Sequence, residues 1–340
     1  MIDCVPRQPR HLLWSVMIPT YNPREDQLAE ALRSVLAQLG PTPHAQIEIV
    51  DDASDGFEPS RFVGERGLHG VRIHRQARRL GMVGNWNACV RRARGRFVHL
   101  LHQDDFVLPG FYAAMRKGLQ DRGRERAGAA FCASLFLEAD GRVVNRTTIA
   151  QREPGLLADW HEHVFTRLQI QTPAVVVRRE VYEQLGGFDD HFAYASDWDM
   201  WKRIAAHHPI WYEPRSLACY RRHANSQTAR LRRSAATIVD LGRSIARSQR
   251  LLPPAVATRV TKRARTGYTL FAVEEATALL RSRGGLRVRL GNLRAAGSHL
   301  SAARRLGSTA DLVLALVTVA RRVVTRVRRR CCLRVAPESD

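Results

Sequence analysis

From Trp14 to Ile18 the chain is apolar apart from Ser15, and the run closes in Pro19-Thr20-Tyr21-Asn22-Pro23. That pattern predicts a short buried strand ending in a turn. Arg7 and Arg10 ahead of it mimic a secretion signal, but the run is short and flows into the turn, so we read it as the first strand. The period then changes. Leu28, Leu32, Val35, Leu36 and Leu39 recur at helical spacing and predict a helix over roughly Arg24 to Gln38, stopped by Gly40-Pro41. Ile47 to Val50 predicts a second strand that runs into Asp51-Asp52-Ala53-Ser54-Asp55-Gly56. Val71 to His74 reads as a strand, Val83 to Ala93 as a helix, and Phe97 to Leu101 as a central strand emptying into His102-Gln103-Asp104-Asp105. This alternation predicts an α/β fold with a mostly parallel central sheet and flanking helices. Ligands in such sheets gather beyond the carboxyl ends of the strands, where Tyr21, Asp52 and the Asp104-Asp105 pair converge.

Further on, a helix carries Phe111, Tyr112, Met115 and Leu119, and Ala129 to Leu137 is a strand turning at Ala139-Asp140-Gly141-Arg142. Ala174 to Val177 is another strand, and the helix Arg179 to Leu185 stops at Gly186-Gly187. Asp197 opens the next helix, where a carboxylate complements the helix dipole. Trp198 and Trp201 on that helix suit either the core or a platform for a sugar ring. Beyond Tyr220 strand signals fade and the chain becomes rich in Arg and Ala. We therefore expect a domain over 1–227 and a basic, mainly helical region over 228–340.

Composition changes this picture in one respect. A net charge of +22 over 340 residues implies attraction to a polyanion: nucleic acid, an anionic membrane or a phosphorylated substrate. Much of the charge is late, where Arg304, Arg305, Arg321, Arg322, Arg326, Arg328, Arg329 and Arg330 surround the apolar Leu312–Ala320 segment. That arrangement suits a membrane-surface helix and equally a packed helix with a solvated basic face. No stretch reaches the roughly 18 uncharged apolar residues of a membrane-spanning helix. Six scattered cysteines without metal-type spacing fit a reducing cytoplasm.

The candidate chemistry sits at Asp104-Asp105. Two adjacent acids where a buried strand ends repel each other and resist desolvation, and a divalent cation offsets both costs. Hard oxygen ligands of this kind suit Mg²⁺ or Mn²⁺. An Asp-Asp turn with solvated side chains is the alternative.

Four blocks in order then carry a resemblance. They are Ser15–Asn22, Val50–Gly56, Gly81–Asp105, and Gly186-Gly187-Phe188-Asp189 followed by Ser196-Asp197. Together, from about Trp14 to Gln227, the chain resembles glycosyltransferase family 2, inverting enzymes of GT-A fold that use nucleotide sugars. The resemblance implies that Pro19, Thr20 and Tyr21 line the nucleotide pocket and that Asp52 accepts a hydrogen bond from the base. It implies a supporting role for Asn87, a ribose or metal contact for Asp104, and metal ligation by Asp105. Gln103 stands where the family's motif carries its first acid, so fewer protein charges hold the metal. Asp197 matches a general base, with Ser196 in place of the usual Glu, and His223 approaches the diphosphate or metal, with Arg222 nearby. His102–Asp105 and Leu80–Asn87 are most similar to bacterial enzymes building surface polysaccharides, rhamnosyl transfer among them.

The implied partners are a UDP- or dTDP-linked sugar donor and a glycan or lipid-linked glycan acceptor. The implied place is the cytoplasm, with the basic end at the inner face of the plasma membrane. Two other readings remain. A nucleic-acid-binding protein would use the charge, but no recognised motif for it is present. A nucleotidyltransferase on a similar sheet would need a basic phosphate loop near the first strand, and Pro19-Thr20-Tyr21-Asn22 is not one.

Overall fold

The first apolar run becomes β1 (Leu12–Thr20), buried without a break from Trp14 onward, as a strand covered on both faces must be. In the computed structural model the described residues are 12–40, 44–120, 126–223, 227–232, 234–281 and 286–332. For 227, 286–289 and 323–332 the description is of backbone alone. After β1 come α1 (Glu25–Leu39), β2 (Ala45–Asp51), α2 (Pro59–Glu65), β3 (Val71–Arg75), α3 (Gly81–Arg92) and β4 (Gly95–Leu100). They are followed by β5 (Phe106–Val107), α4 (Phe111–Gln120), β6 (Ala129–Leu137), β7 (Val143–Arg146), β8 (Gly155–Leu156) and α5 (Trp160–Thr166). β9 (Val175–Arg178), α6 (Arg179–Leu185), α7 (Ser196–His207) and β10 (Ile210–Arg221) complete the sheet region. The remainder is helical: α8 (Gln227–Arg232), α9 (Ala236–Ser248), α10 (Pro254–Arg281), α11 (Leu286–Leu306) and α12 (Thr309–Cys332).

Ten strands form one sheet with the path β3-β2-β1-β4-β9-β6-β10-β5, with β7 on β6 and β8 on β10. The first four strands are all parallel, the arrangement that strand–helix alternation demands. Beyond β4 the sheet is mixed. β9 runs antiparallel to both β4 and β6, while β6 and β10 are parallel. The sequence reading contains neither β5 nor β10. In β10 the apolar alternation is interrupted at Glu213-Pro214-Arg215, where the register with β6 shifts, so pattern alone does not show it.

Helix α1 buries Leu28, Leu32 and Val35 in the same apolar core as Val16, Ile18, Ile47 and Phe97. β1 and β4 approach closely at Gly95, where a Cβ would lie 2.4 Å from the Trp14 carbonyl carbon. Inside this core His99 is fully buried, with Nε2 3.0 Å from the Pro173 carbonyl and Nδ1 3.0 Å from the Tyr112 hydroxyl. A carbonyl only accepts, so Nε2 carries the proton and Nδ1 accepts from Tyr112.

The chain divides into two compact units, residues 1–164 with 168–224, and 165–167 with 225–340. In the second, α10 packs against α9, α11 and α12. No described helix is long and apolar enough to cross a membrane.

Candidate active site

The site is built where β1, β2 and β4 end side by side. Leaving β1, the chain turns at Asn22 (φ 44°), and leaving β2 it turns at Ala53 (φ 54°), both left-handed for non-glycine residues. Ala53 follows Asp52, and such local strain is kept where surrounding bonds enforce it. Those bonds are present. Asn22 Oδ1 accepts from the Asp55 N–H at 2.8 Å, and Ser54 Oγ accepts from the Asn22 N–H at 2.8 Å. Asp51 is a structural acid, accepting from Thr20 Oγ1, Ser54 Oγ and the Ser54 N–H. Asp52 is positioned differently. Its two oxygens accept the N–H groups of Leu80 (2.6 Å) and Gly81 (2.9 Å) and thereby hold the amino end of α3. Burial raises its carboxyl above the usual range, against the pull of those two bonds.

Tyr21 is held by Gln103. The Tyr21 N–H donates to Gln103 Oε1 at 2.8 Å, and Gln103 Nε2 donates to the Tyr21 carbonyl at 3.3 Å. The neutral residue at this position is therefore a two-point clamp between the ends of β1 and β4. The Arg79 guanidinium lies over the Tyr21 ring, 3.9 Å from its centroid.

Three side chains past β4 bring ligand atoms within 4.8 Å of one another: His102, Asp104 and Asp105. Asp105 is 1% exposed. Its Oδ1 accepts the Arg221 N–H at 2.8 Å, and its Oδ2 has no hydrogen-bond partner among the described residues, with His102 Nδ1 at an ion-pair distance of 3.5 Å. Burial, and then the charge of Asp104, push its carboxyl up to about 6. Asp104 goes the other way. Burial opposes its charge, but the hydrogen bond from His223 Nε2 (2.8 Å) and the charge of His102 hold its carboxyl below the usual value. His223 rises in turn, chiefly through that same hydrogen bond. Burial also works against charge on His102, yet Asp105, Asp104 and Asp197 together outweigh it and raise the imidazole. A buried, unsatisfied oxygen on one of two adjacent acids fits a divalent cation, which would satisfy the oxygen and relieve the repulsion.

Sequence reasoning did not single out His102 or Arg221. The His102 ring stacks on Trp86 (centroids 5.1 Å apart), and its Nε2 is buried without a hydrogen-bond partner among the described residues. Arg221 brackets both acids: its N–H holds Asp105, and its guanidinium donates to the Asp104 carbonyl and to Glu30. Arg221 opens the stretch that carries Arg222 and His223, but the strand that it ends is one that the sequence reading does not contain. His223, expected near the metal or diphosphate, is seated on Asp104 rather than on Asp105.

Asn87 is a brace. Its Nδ2 donates to the Phe188 carbonyl (2.9 Å), and its Oδ1 accepts the Phe188 N–H (2.7 Å). A Cβ at Gly187 would meet that Oδ1 at 2.2 Å, so the glycine lets the loop close onto Asn87. Phe188 in turn packs edge-on against Trp86 and Trp201. Past this loop Asp197 stands in the first turn of α7, with Oδ1 accepting the Trp198 N–H at 2.6 Å. Trp198 and Trp201 are core residues, 1% and 2% exposed, and Trp198 Nε1 donates to the Val164 carbonyl. They form no platform, because helical spacing turns both rings into the interior. Pro19 and Thr20 are the last two residues of β1, where the Thr20 hydroxyl donates to Asp51. Arg222 is exposed, and its N–H donates to the Leu137 carbonyl.

Comparison with known proteins agrees with this geometry. A family model described as Glycosyl transferase family 2 matches residues 15–132. The uncharacterized protein MT1568 of Mycobacterium tuberculosis (strain CDC 1551 / Oshkosh) is 30% identical over 247 residues, covering 68% of this chain and 74% of its own length. The fold is similar to that of S. aureus TarS 1-349 in complex with UDP-GlcNAc, with a TM-score of 0.64 at 16% identity over 87% of this chain and 83% of that one. It is also similar to the mannosyltransferase PcManGT from Pyrobaculum calidifontis in complex with GDP-Man and Mn2+, with a TM-score of 0.55 at 19% identity over 93% and 88%.

Proposed function

The chain belongs to glycosyl transferase family 2 and is a glycosyltransferase of GT-A fold, and from that premise we propose an inverting transfer from a nucleotide sugar. The donor is UDP- or dTDP-linked, rhamnose among the sugars carried, and the acceptor is a hydroxyl of a glycan or lipid-linked glycan. One observation carries the reading: the unsatisfied Oδ2 of Asp105 beside Asp104, where three parallel strands end.

In this reading Asp104, Asp105 and His102 would hold Mg²⁺ or Mn²⁺, and the ion, when bound, would supply positive charge against the departing diphosphate. That two fold neighbours hold nucleotide sugars, one with Mn²⁺, supports the donor class and the metal. Tyr21, with Pro19 and Thr20 before it, faces the nucleotide, and the clamp from Gln103 fixes its backbone. Asp52 holds the amino end of α3 beside the base, and Asn87 keeps the Gly187-Phe188 loop in place. His223 keeps a proton beside Asp104, and Arg221 fixes the orientation of both acids. Asp197 takes the proton of the acceptor hydroxyl as that oxygen bonds to the anomeric carbon and the bond to the diphosphate oxygen breaks. The acceptor oxygen attacks from the face opposite the leaving group, and the configuration inverts.

The helix α12 supports a cytoplasmic enzyme docked on the inner face of an anionic membrane. Val313, Leu314, Leu316 and Val317 are exposed along it, with Arg321 and Arg322 following.

The test is transfer across a panel of nucleotide sugars with Mg²⁺ or Mn²⁺, beside Asp105→Ala and Asp197→Asn. Metal-dependent turnover is expected, lost in Asp105→Ala, with Asp197→Asn binding nucleotide without transferring. Absence of nucleotide-sugar binding in the presence of metal would overturn the reading.

A further inference from the structure

In the second unit α10, the end of α11 and the first turn of α12 enclose a concavity of about 500 Å³. Three cations line it: Lys262 and Arg265, one turn apart on α10, and Arg305 in the last turn of α11. Among the described residues the Lys262 ammonium and the Arg265 guanidinium have no hydrogen-bonded or ion-paired partner, and Arg305 donates only to Ser301 Oγ, at 3.1 Å. Like charges this close on a helix repel, which is a cost unless something anionic sits among them.

The one carboxylate in the wall, Asp311, offsets only one of these three positive charges, and both its oxygens are engaged. The Thr266 hydrogen bond, with Lys262 helping, holds it below its usual range. Asp311 Oδ1 accepts from Thr266 Oγ1 at 2.5 Å, and Oδ2 accepts from the Ser308 N–H and Oγ, at 2.9 and 2.7 Å. Ser308 Oγ accepts the Asp311 N–H in return, a reciprocal cap that opens α12. A second observation is independent of charge. Thr261, also in the wall and 3% exposed, has a hydroxyl without a hydrogen-bond partner among the described residues. Buried hydroxyls are nearly always satisfied, so this one marks a missing acceptor.

We propose that this concavity is a binding site for a phosphate group. A tetrahedral oxyanion offers acceptors on every side, which suits an ammonium, two guanidinium forks and a hydroxyl donating together. The volume, within the roughly 300–1,000 Å³ of small-molecule clefts, leaves room for an organic remainder. A phosphorylated small molecule and the headgroup of a phospholipid share this chemistry. The site does not depend on the proposed glycosyl transfer.

The test uses the full chain with inorganic phosphate and pyrophosphate by calorimetry, and with phosphatidylcholine vesicles with or without phosphatidic acid by flotation. The variants are Lys262→Ala/Arg265→Ala, Thr261→Val, and Arg294→Ala on an exposed part of α11 outside the concavity. Affinity for at least one probe is expected to fall about tenfold or more in the double variant and severalfold in Thr261→Val, with Arg294→Ala unchanged. Loss confined to the free anions identifies a small phosphorylated ligand, and loss confined to phosphatidic acid vesicles identifies a lipid headgroup. The proposal is overturned if no probe binds, or if Arg294→Ala weakens binding as much as the double variant. In the second case the attraction is diffuse charge, not a site.

Discussion

Two of the acids buried in the parallel half of the sheet stand in opposite circumstances. Toward the amino side, Glu48 of β2 is 2% exposed and complete: Oε1 is held by Arg92 Nε at 2.5 Å, and Oε2 by Gln46 Nε2 at 2.6 Å. Gln46 is itself anchored, its Oε1 accepting from Ser15 Oγ and the Arg94 N–H. At the carboxyl side, Asp105 is as deeply buried, lies beside a second acid, and leaves one oxygen unsatisfied. A protein can satisfy a buried carboxylate, and at Glu48 it does. Where it does not, the deficit points to something else that completes the site.

Substitutions should separate the two acids. The largest effect belongs to the carboxyl side: Asp197→Asn is expected to lower transfer by roughly 10²–10⁴-fold without changing the unfolding midpoint, read by initial rates and calorimetry. Glu48→Gln should do the reverse. Arg92 and Gln46 each lose the charged partner, so the fold is destabilised by about 1–3 kcal/mol in denaturant titration, while the catalytic rate per folded molecule is retained. A Glu48→Gln protein of full stability would break the comparison.

The third effect reads the core between the two sides. Burial lowers His99 to about 3, against about 6.5 when unfolded, so the unfolded chain takes up a proton first as pH falls. The stability of the neutral imidazole is therefore complete above about pH 6.5 and lost progressively from there toward pH 3. The unfolding midpoint should fall over that window, and less steeply in His99→Gln. The smallest effect is at the clamp: Gln103→Ala frees Tyr21, and the Michaelis constant for the donor should rise severalfold with little change in turnover.

Much of the parallel half was legible. Mainly apolar runs at Trp14–Ile18, Ile47–Val50 and Phe97–Leu101, each broken by a single polar residue (Ser15, Glu48 and His99), became β1, β2 and β4, because buried strands carry little else. Helix ends were read to within a residue or two, as at α1, which starts at Glu25. β10 was not legible, since Pro214 and the shifted register disguise it. At the site the acids were visible as residues, and their surroundings were not. Gln103 reaches Tyr21 across 82 positions, Arg221 reaches Asp105 across 116, and Asn87 reaches Phe188 across 101. No local pattern encodes contacts of that separation. The tryptophans of α7 show the converse, a spacing that admitted two readings until burial decided for the core.

The most direct test of the central claim is the unfolding midpoint of the wild type and Asp105→Asn, each with and without Mn²⁺. The account predicts that without metal the variant is at least as stable as the wild type, since a buried repulsive charge is gone, and that Mn²⁺ raises the midpoint of the wild type alone. A variant that is destabilised as Glu48→Gln should be, with Mn²⁺ stabilising neither protein, would make Asp105 a structural acid and contradict the account.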